Sequence, residues 1–306
     1  MPDAITMGEA LIDFIPGQVG RALADVTDFK RAAGGAPFNV AVGLARLGVD
    51  VGFMGKLGDD VFGRFLQKVL MENGVNIEQL VFTREALTTL AFVSLKEDGE
   101  RDFIFYRKPG ADMQYRADEI DFGYVNKAKV FHFGSISLID EPVRTPTRLL
   151  VEYARSKGLL VTFDPNIRLA LWGSVERAMA EIKEIVPYVD LIKLNEEELE
   201  TLTGIGREEL NENVLAEAAR QIFELGPHFV VVTLGKKGSY LYSRACRCLV
   251  AGYEFKAIDT TGAGDAFMAA LLSQIYCKTI IELEKISINE WQKILSFANW
   301  IGGMST

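Results

Sequence analysis

The chain has 306 residues, 49% hydrophobic and 25% charged, which is globular composition and excludes disordered and fibrous classes. Lysine and arginine total 33 against 42 aspartates and glutamates, and the net charge of −9, with no basic cluster to override it, speaks against nucleic acid and anionic lipid as partners. Three cysteines (Cys246, Cys248, Cys277) are too few for a disulfide framework, the first residues are acidic where a secretory leader is basic, and the longest charge-free hydrophobic stretch, 266–277, is shorter than the roughly 20 residues that span a bilayer, so a soluble protein of the reducing cytoplasm is expected.

Strand-length apolar segments alternate with helix-period segments along nearly the whole chain, which predicts a three-layer α/β/α sandwich around a mostly parallel sheet. Residues 4–13 read as the first strand. A helix over 37–47 follows, with Pro37 in its first turn and Gly48 as its stop, and then a strand over 49–54. Asp59 and Asp60 are candidate caps of a helix that Gly74 ends. Further strands are expected at 130–133, 159–164, 190–194 and 229–234. Two stretches break the alternation: residues 14–30 form a long connection, and 88–106 read as two strands around Asp98-Gly99, a hairpin signal. They predict a small β lid contributed by about 14–32 and 88–107 on one domain spanning 1–306.

The strongest chemical signal is Asp259-Thr-Thr-Gly-Ala-Gly-Asp265 ahead of an apolar helical run. Gly262 and Gly264 let the backbone turn so that several N–H groups meet at one point, and the helix adds the positive end of its dipole. Asp265, in the first helical turn, is placed to accept a proton from a hydroxyl, with the dipole favouring its ionised form. Taken alone, this motif is equally a turn with an N-cap. Gly34-Gly35-Ala-Pro-Phe-Asn39 opens a second helix in the same way. Asp13, the segment Asp164-Pro-Asn-Ile-Arg168 and the run Asn195-Glu-Glu-Glu198 each follow an apolar strand, the end at which ligands bind in open α/β sheets. Thr233-Leu-Gly-Lys-Lys-Gly238 lacks Walker spacing, and no Gly-x-Gly-x-x-Gly fingerprint occurs. Only two histidines, His132 and His228, are available, and both are expected to pack within strands; Cys246 and Cys248 have strand spacing and are expected to share a face.

Together these motifs resemble the ribokinase-like, or phosphofructokinase-B, family of carbohydrate kinases over nearly the whole chain. Gly34 to Ala41 with Gly48 and Gly58 is similar to one family signature, Asp259 to Asp265 to the other, and Asn195 to Glu198 to the family's Asn-x-x-Glu motif. The segments Gly8 to Phe14, Pro109 to Met113, Phe131 to Pro142 and Asp164 to Trp172 look most like fructokinases. The resemblance implies ATP-dependent phosphorylation of a small sugar, D-fructose at its 6-hydroxyl, with Asp265 as general base, Gly262, Ala263 and Gly264 as anion hole and Arg168 neutralising the transferring phosphoryl group. It implies that Asp13, Gly34, Gly35, Asn39 and Arg107 hold or cover the sugar. Asn195, Thr233, Gly235, Gly238 and Asn299 would line the nucleotide. Asn195 and Glu198 would organise Mg²⁺ through water, and Asp259 and Thr261 match half of a K⁺ site. Relatives continue beyond the last helix, whereas this chain stops at Thr306, so part of the nucleotide wall and of the K⁺ site is expected to be missing. The alternatives are a 2-keto-3-deoxygluconate kinase, which Arg107 would serve by meeting a carboxylate, and a catalytically idle sugar sensor. An apolar face of the lid could pair two subunits.

Overall fold

The computed structural model describes every residue except 1, 19, 96–100, 208–210 and 256–261. Among the described residues, nine strands form the main sheet in the order Arg247–Ala251, Gly238–Ser243, Phe229–Thr233, Leu191–Asn195, Leu160–Asp164, Val130–Gly134, Ala4–Met7, Val51–Gly58, Leu80–Thr83. Pairing is parallel except on both sides of Gly238–Ser243. Helices cover both faces, and each face has its own apolar core. Ala36–Arg46, Ala263–Ile275 and Ile288–Met304 pack on one another over Val51, Val231 and Leu241. Arg144–Ser156, Val175–Ile185, Glu196–Thr203 and Glu212–Phe223 cover Phe131, Phe163, Ile192 and Val230 on the other. The expected three-layer sandwich is therefore the observed fold.

The first strand differs from expectation. Residues 4–13 are two strands, Ala4–Met7 in the main sheet and Leu11–Pro16 in a separate four-stranded lid with Phe29–Gly34, Leu90–Leu95 and Arg101–Tyr106. Asp13 consequently lies within the lid and does not end a main-sheet strand. The chain changes sheets at Gly8, whose φ of 151° breaks the extended run; the apolar pattern conceals the break because both strands are buried at this point. The lid is also broader than 14–32 and 88–107 suggested, since it begins at Leu11 and ends its second strand at Gly34. Its inner face is anchored by Phe14, which stacks on Phe92 (4.8 Å) and meets Phe62 of the helix Val61–Glu72 edge-on (5.9 Å). The turn at Asp98-Gly99 lies outside the described residues. His132 does pack inside its strand, but His228 precedes Phe229–Thr233 and faces Glu284 at 3.1 Å.

Parallel register sets what the C-terminal edge of the sheet presents. Gly134 stands opposite Asp164, and Asn195 opposite Thr233. The neighbours of Ala4–Met7 are Val51–Gly58 on one side and Val130–Gly134 on the other, so successive strands are added in opposite directions from this strand and a crevice opens above it.

Candidate active site

A cavity of about 640 Å³ fills that crevice, with Asp13 and Phe105 of the lid on one side and Asn39, Asn195, Thr233 and Asp265 on the other. Both glycine-led helices begin there. At Gly35 φ is 106°, and a Cβ would strike the backbone carbonyl of Glu9, so only glycine lets the chain turn this closely. With no side chain on Gly35 to cap the helix, Glu9 does so from a distance: its Oε1 accepts from the N–H of Ala36 at 3.0 Å. Asn39 then sits one turn into Ala36–Arg46. The other helix, Ala263–Ile275, starts at Gly262 in a left-handed conformation and carries Asp265 in its first turn. The two helices meet where Asn39 Nδ2 donates to Asp265 Oδ2 at 2.8 Å.

Burial dominates the proton affinity of Asp265, pushing its carboxyl up to about 7, and the nearby Asp164 charge adds to the effect. The Asn39 hydrogen bond, Lys193 and Arg168 oppose it. The helix dipole was expected to favour the ionised form, but desolvation outweighs it. The outcome is a base that changes protonation near neutrality. Burial likewise lifts Glu9 to about 7, against the N–H groups of Glu9 and Ala36 and the charge of Arg107.

Below the turn, Lys193 Nζ meets Asp164 Oδ2 at 2.7 Å, and both side chains are almost fully buried. Burial alone would depress the Lys193 ammonium, yet Asp164, Glu198 and Asp265 together raise its pKa. Asn195 and Glu198 form a reciprocal cap. Asn195 Oδ1 accepts from the Glu198 N–H (2.8 Å), Glu198 Oε2 accepts from the Asn195 N–H (2.9 Å), and Glu198 Oε1 accepts from the Ile167 N–H (2.8 Å). Glu198 thereby ties its own helix to the segment carrying Arg168. Its pKa is raised by burial and by Asp164. Glu198→Ala leaves two N–H groups unpaired and is expected to cost about 2–4 kcal/mol of stability; a denaturant midpoint equal to wild type would contradict this.

The structure brings most of the expected residues together. Gly35, Asn39, Arg168, Asn195, Thr233, Gly235, Gly238, Gly262, Ala263, Gly264, Asp265 and Asn299 all face the cavity. Gly34 lies behind Asp13, where a side chain would collide with the Asp13 carboxylate. Asn299 also pins its helix to the sheet by donating to the carbonyls of Val250 and Ala251 at 3.3 Å. Arg107 is placed differently: it is buried against Asp112, with Nε and Nη2 at 2.8 and 2.7 Å from Oδ2, and does not line the cavity. Glu198 also stands behind the wall. Asp259 and Thr261 lie outside the described residues. Glu9 and Lys193 line the cavity and were missed. A lysine inside the apolar run Asp190-Leu-Ile-Lys-Leu was the available signal, because a buried charge requires a partner.

A glycine turn at a helix N-terminus, a buried carboxyl that titrates near neutrality and a covered crevice are the features that phosphoryl transfer to a small hydroxylated molecule requires. The model of the pfkB family of carbohydrate kinases matches residues 1–306, and the chain belongs to that family. It is 43% identical over 302 residues to probable fructokinase-4 of Arabidopsis thaliana, covering 99% of this chain and 90% of that protein. Among solved structures, a fructokinase from Xylella fastidiosa with bound ATP superposes with a TM-score of 0.86 at 31% identity, covering 99% of this chain and 92% of that one. A fructokinase from Vibrio cholerae O395 with fructose, ADP and calcium bound gives 0.86 at 33% identity, covering 100% and 93%.

Proposed function

We propose that the protein transfers the γ-phosphoryl group of ATP to the 6-hydroxyl of D-fructose, giving ADP and fructose 6-phosphate. The observation that carries this reading is the Asn39–Asp265 contact beside the glycine turn. Asp265 takes the hydroxyl proton as the oxygen bonds to phosphorus and the bond to the ADP oxygen breaks. The N–H groups at Gly262, Ala263 and Gly264 receive the transferring phosphoryl, Arg168 balances its charge, and Asp13 and Asn39 hold sugar hydroxyls. Thr233, Gly235, Gly238 and Asn299 form the nucleotide side. The lid excludes water that would otherwise hydrolyse ATP.

Asn195 and Glu198 would hold magnesium through water, and the ion would supply positive charge to the phosphate oxygens of the nucleotide. Among the described residues no cluster of three or more acidic, histidine or cysteine side chains could hold a metal by itself, which suits an ion held mainly by phosphates and water, with Asn195 and Glu198 behind the water. A K⁺ ion at Asp259 and Thr261 belongs to the same proposal. So do a cytoplasmic location, supported by three free cysteines and the lack of a membrane-spanning helix among the described residues, and a dimer through the lid, where Ile104 and Tyr106 are exposed.

The identities of the relatives favour fructose, as does the site. A carboxylate substrate would want the cation that Arg107 instead commits to Asp112, which weakens the 2-keto-3-deoxygluconate reading. The intact base and Arg168 weaken the idle-sensor reading. Coupled ADP release measured with fructose, ribose, 2-keto-3-deoxygluconate, mannose and adenosine should give the highest kcat/KM for fructose. A higher value for the keto-acid would replace the substrate and leave the kinase in place.

A further inference from the structure

The strongest unassigned feature is a buried cation. Lys193 lies on the interior strand Leu191–Asn195, 4% exposed, with Asp164 as its direct partner at 2.7 Å. Its Nζ stands 3.1 Å from where a Cβ on Gly264 would be. The missing side chain at 264 therefore has a second consequence: it lets an ammonium approach the glycine turn closely, at the wall of the cavity. Asp164 is itself 1% exposed, and its Oδ1 has no hydrogen-bond partner. The pair thus stands buried beside the turn, where low dielectric strengthens its field.

From this geometry we infer that Lys193 is the fixed cation of the transfer site, held by Asp164 beneath Gly264 to add positive potential where phosphoryl charge develops. Lys193 itself lines the cavity, and it acts on the transferring group through its fixed charge. An oriented charge of this kind stabilises the transition state more than the bound substrates, since it needs no reorganisation when charge spreads over the equatorial oxygens. The inference rests on the kinase reading above.

The test compares wild type with Lys193→Met, which keeps the length of the side chain and removes the charge. A second variant, Lys193→Met/Asp164→Asn, removes both members of the pair in case the unpaired aspartate prevents folding. For each folded variant the affinities for ADP with fructose, and for ADP with fructose and aluminium fluoride as a mimic of the transferring group, are measured alongside kcat. Lys193→Met is expected to bind ADP and fructose within about threefold of wild type while losing at least ~10²-fold both in kcat and in the aluminium fluoride complex, the usual scale for removing one such stabilising group. The double variant should show the same selective loss. Equal weakening of both complexes, no weakening of either, or recovery of kcat in the double variant would overturn the inference, the last by showing that Lys193 serves only to neutralise Asp164. Failure of wild type itself to release ADP with fructose would instead overturn the kinase reading.

Discussion

Asp265→Asn is expected to lower kcat by at least ~10²-fold, the contribution of a positioned general base, while the variant still folds and binds nucleotide. Asparagine keeps the shape of the side chain and can still meet Asn39, so packing does not account for the loss. The same substitution has an opposite effect on stability. The carboxyl of Asp265 is raised from 3.8 to about 7 by burial and Asp164, so the folded state holds its proton more tightly than the unfolded state. Its stabilising share is complete below the unfolded pKa and is lost as pH rises through about 7. Above pH 7 the wild type carries a buried charge that the variant lacks, and the variant should melt at a higher temperature. For wild type, kcat/KM should fall about tenfold per unit as pH drops below about 7, because the protonated carboxyl cannot accept the hydroxyl proton. Near-normal turnover in Asp265→Asn would remove Asp265 from the mechanism.

The second large effect is expected at Asp13. Asp13 sits within a lid strand, its backbone paired with Ala32 on one side and Ala91 on the other, and it lines the cavity. Hydrogen bonds to a charged group contribute about 1.5–3 kcal/mol each, so losing two to sugar hydroxyls should lower kcat/KM for fructose by ~10²-fold or more. The loss should appear mainly in KM for the sugar, with KM for ATP unchanged, because Asp13 stands on the lid side of the site. Asp13→Asn should lose less than Asp13→Ala. An unchanged KM for fructose in Asp13→Ala would show that the lid does not hold the sugar.

The sequence was informative wherever a local pattern determines structure. Gly262, Gly264 and Asp265 lie at a helix start because the glycines and the apolar run behind them permit little else. Asp60 caps its helix through short-range hydrogen bonds to the N–H groups of Phe62 and Gly63. What escaped depended on long-range placement. The transfer of Leu11–Pro16 into the lid was hidden because burial on both sides of Gly8 makes two strands read as one. The family resemblance implies a place for Arg107 beside the sugar, yet its charge is committed to Asp112, five residues on, where the chain folds back. Glu9 and Lys193 have partners 27 and 29 residues away, a pairing that no local spacing reveals.

The identity of the product tests phosphoryl transfer to fructose most directly. Purified protein incubated with ATP, magnesium and fructose is followed by phosphorus NMR, with carbon-13 label at C6 of the sugar. One phosphate monoester coupled to C6, formed in step with ADP and requiring fructose, is the predicted result. ADP accompanied by inorganic phosphate, a monoester at another carbon, or no ADP at all would contradict it.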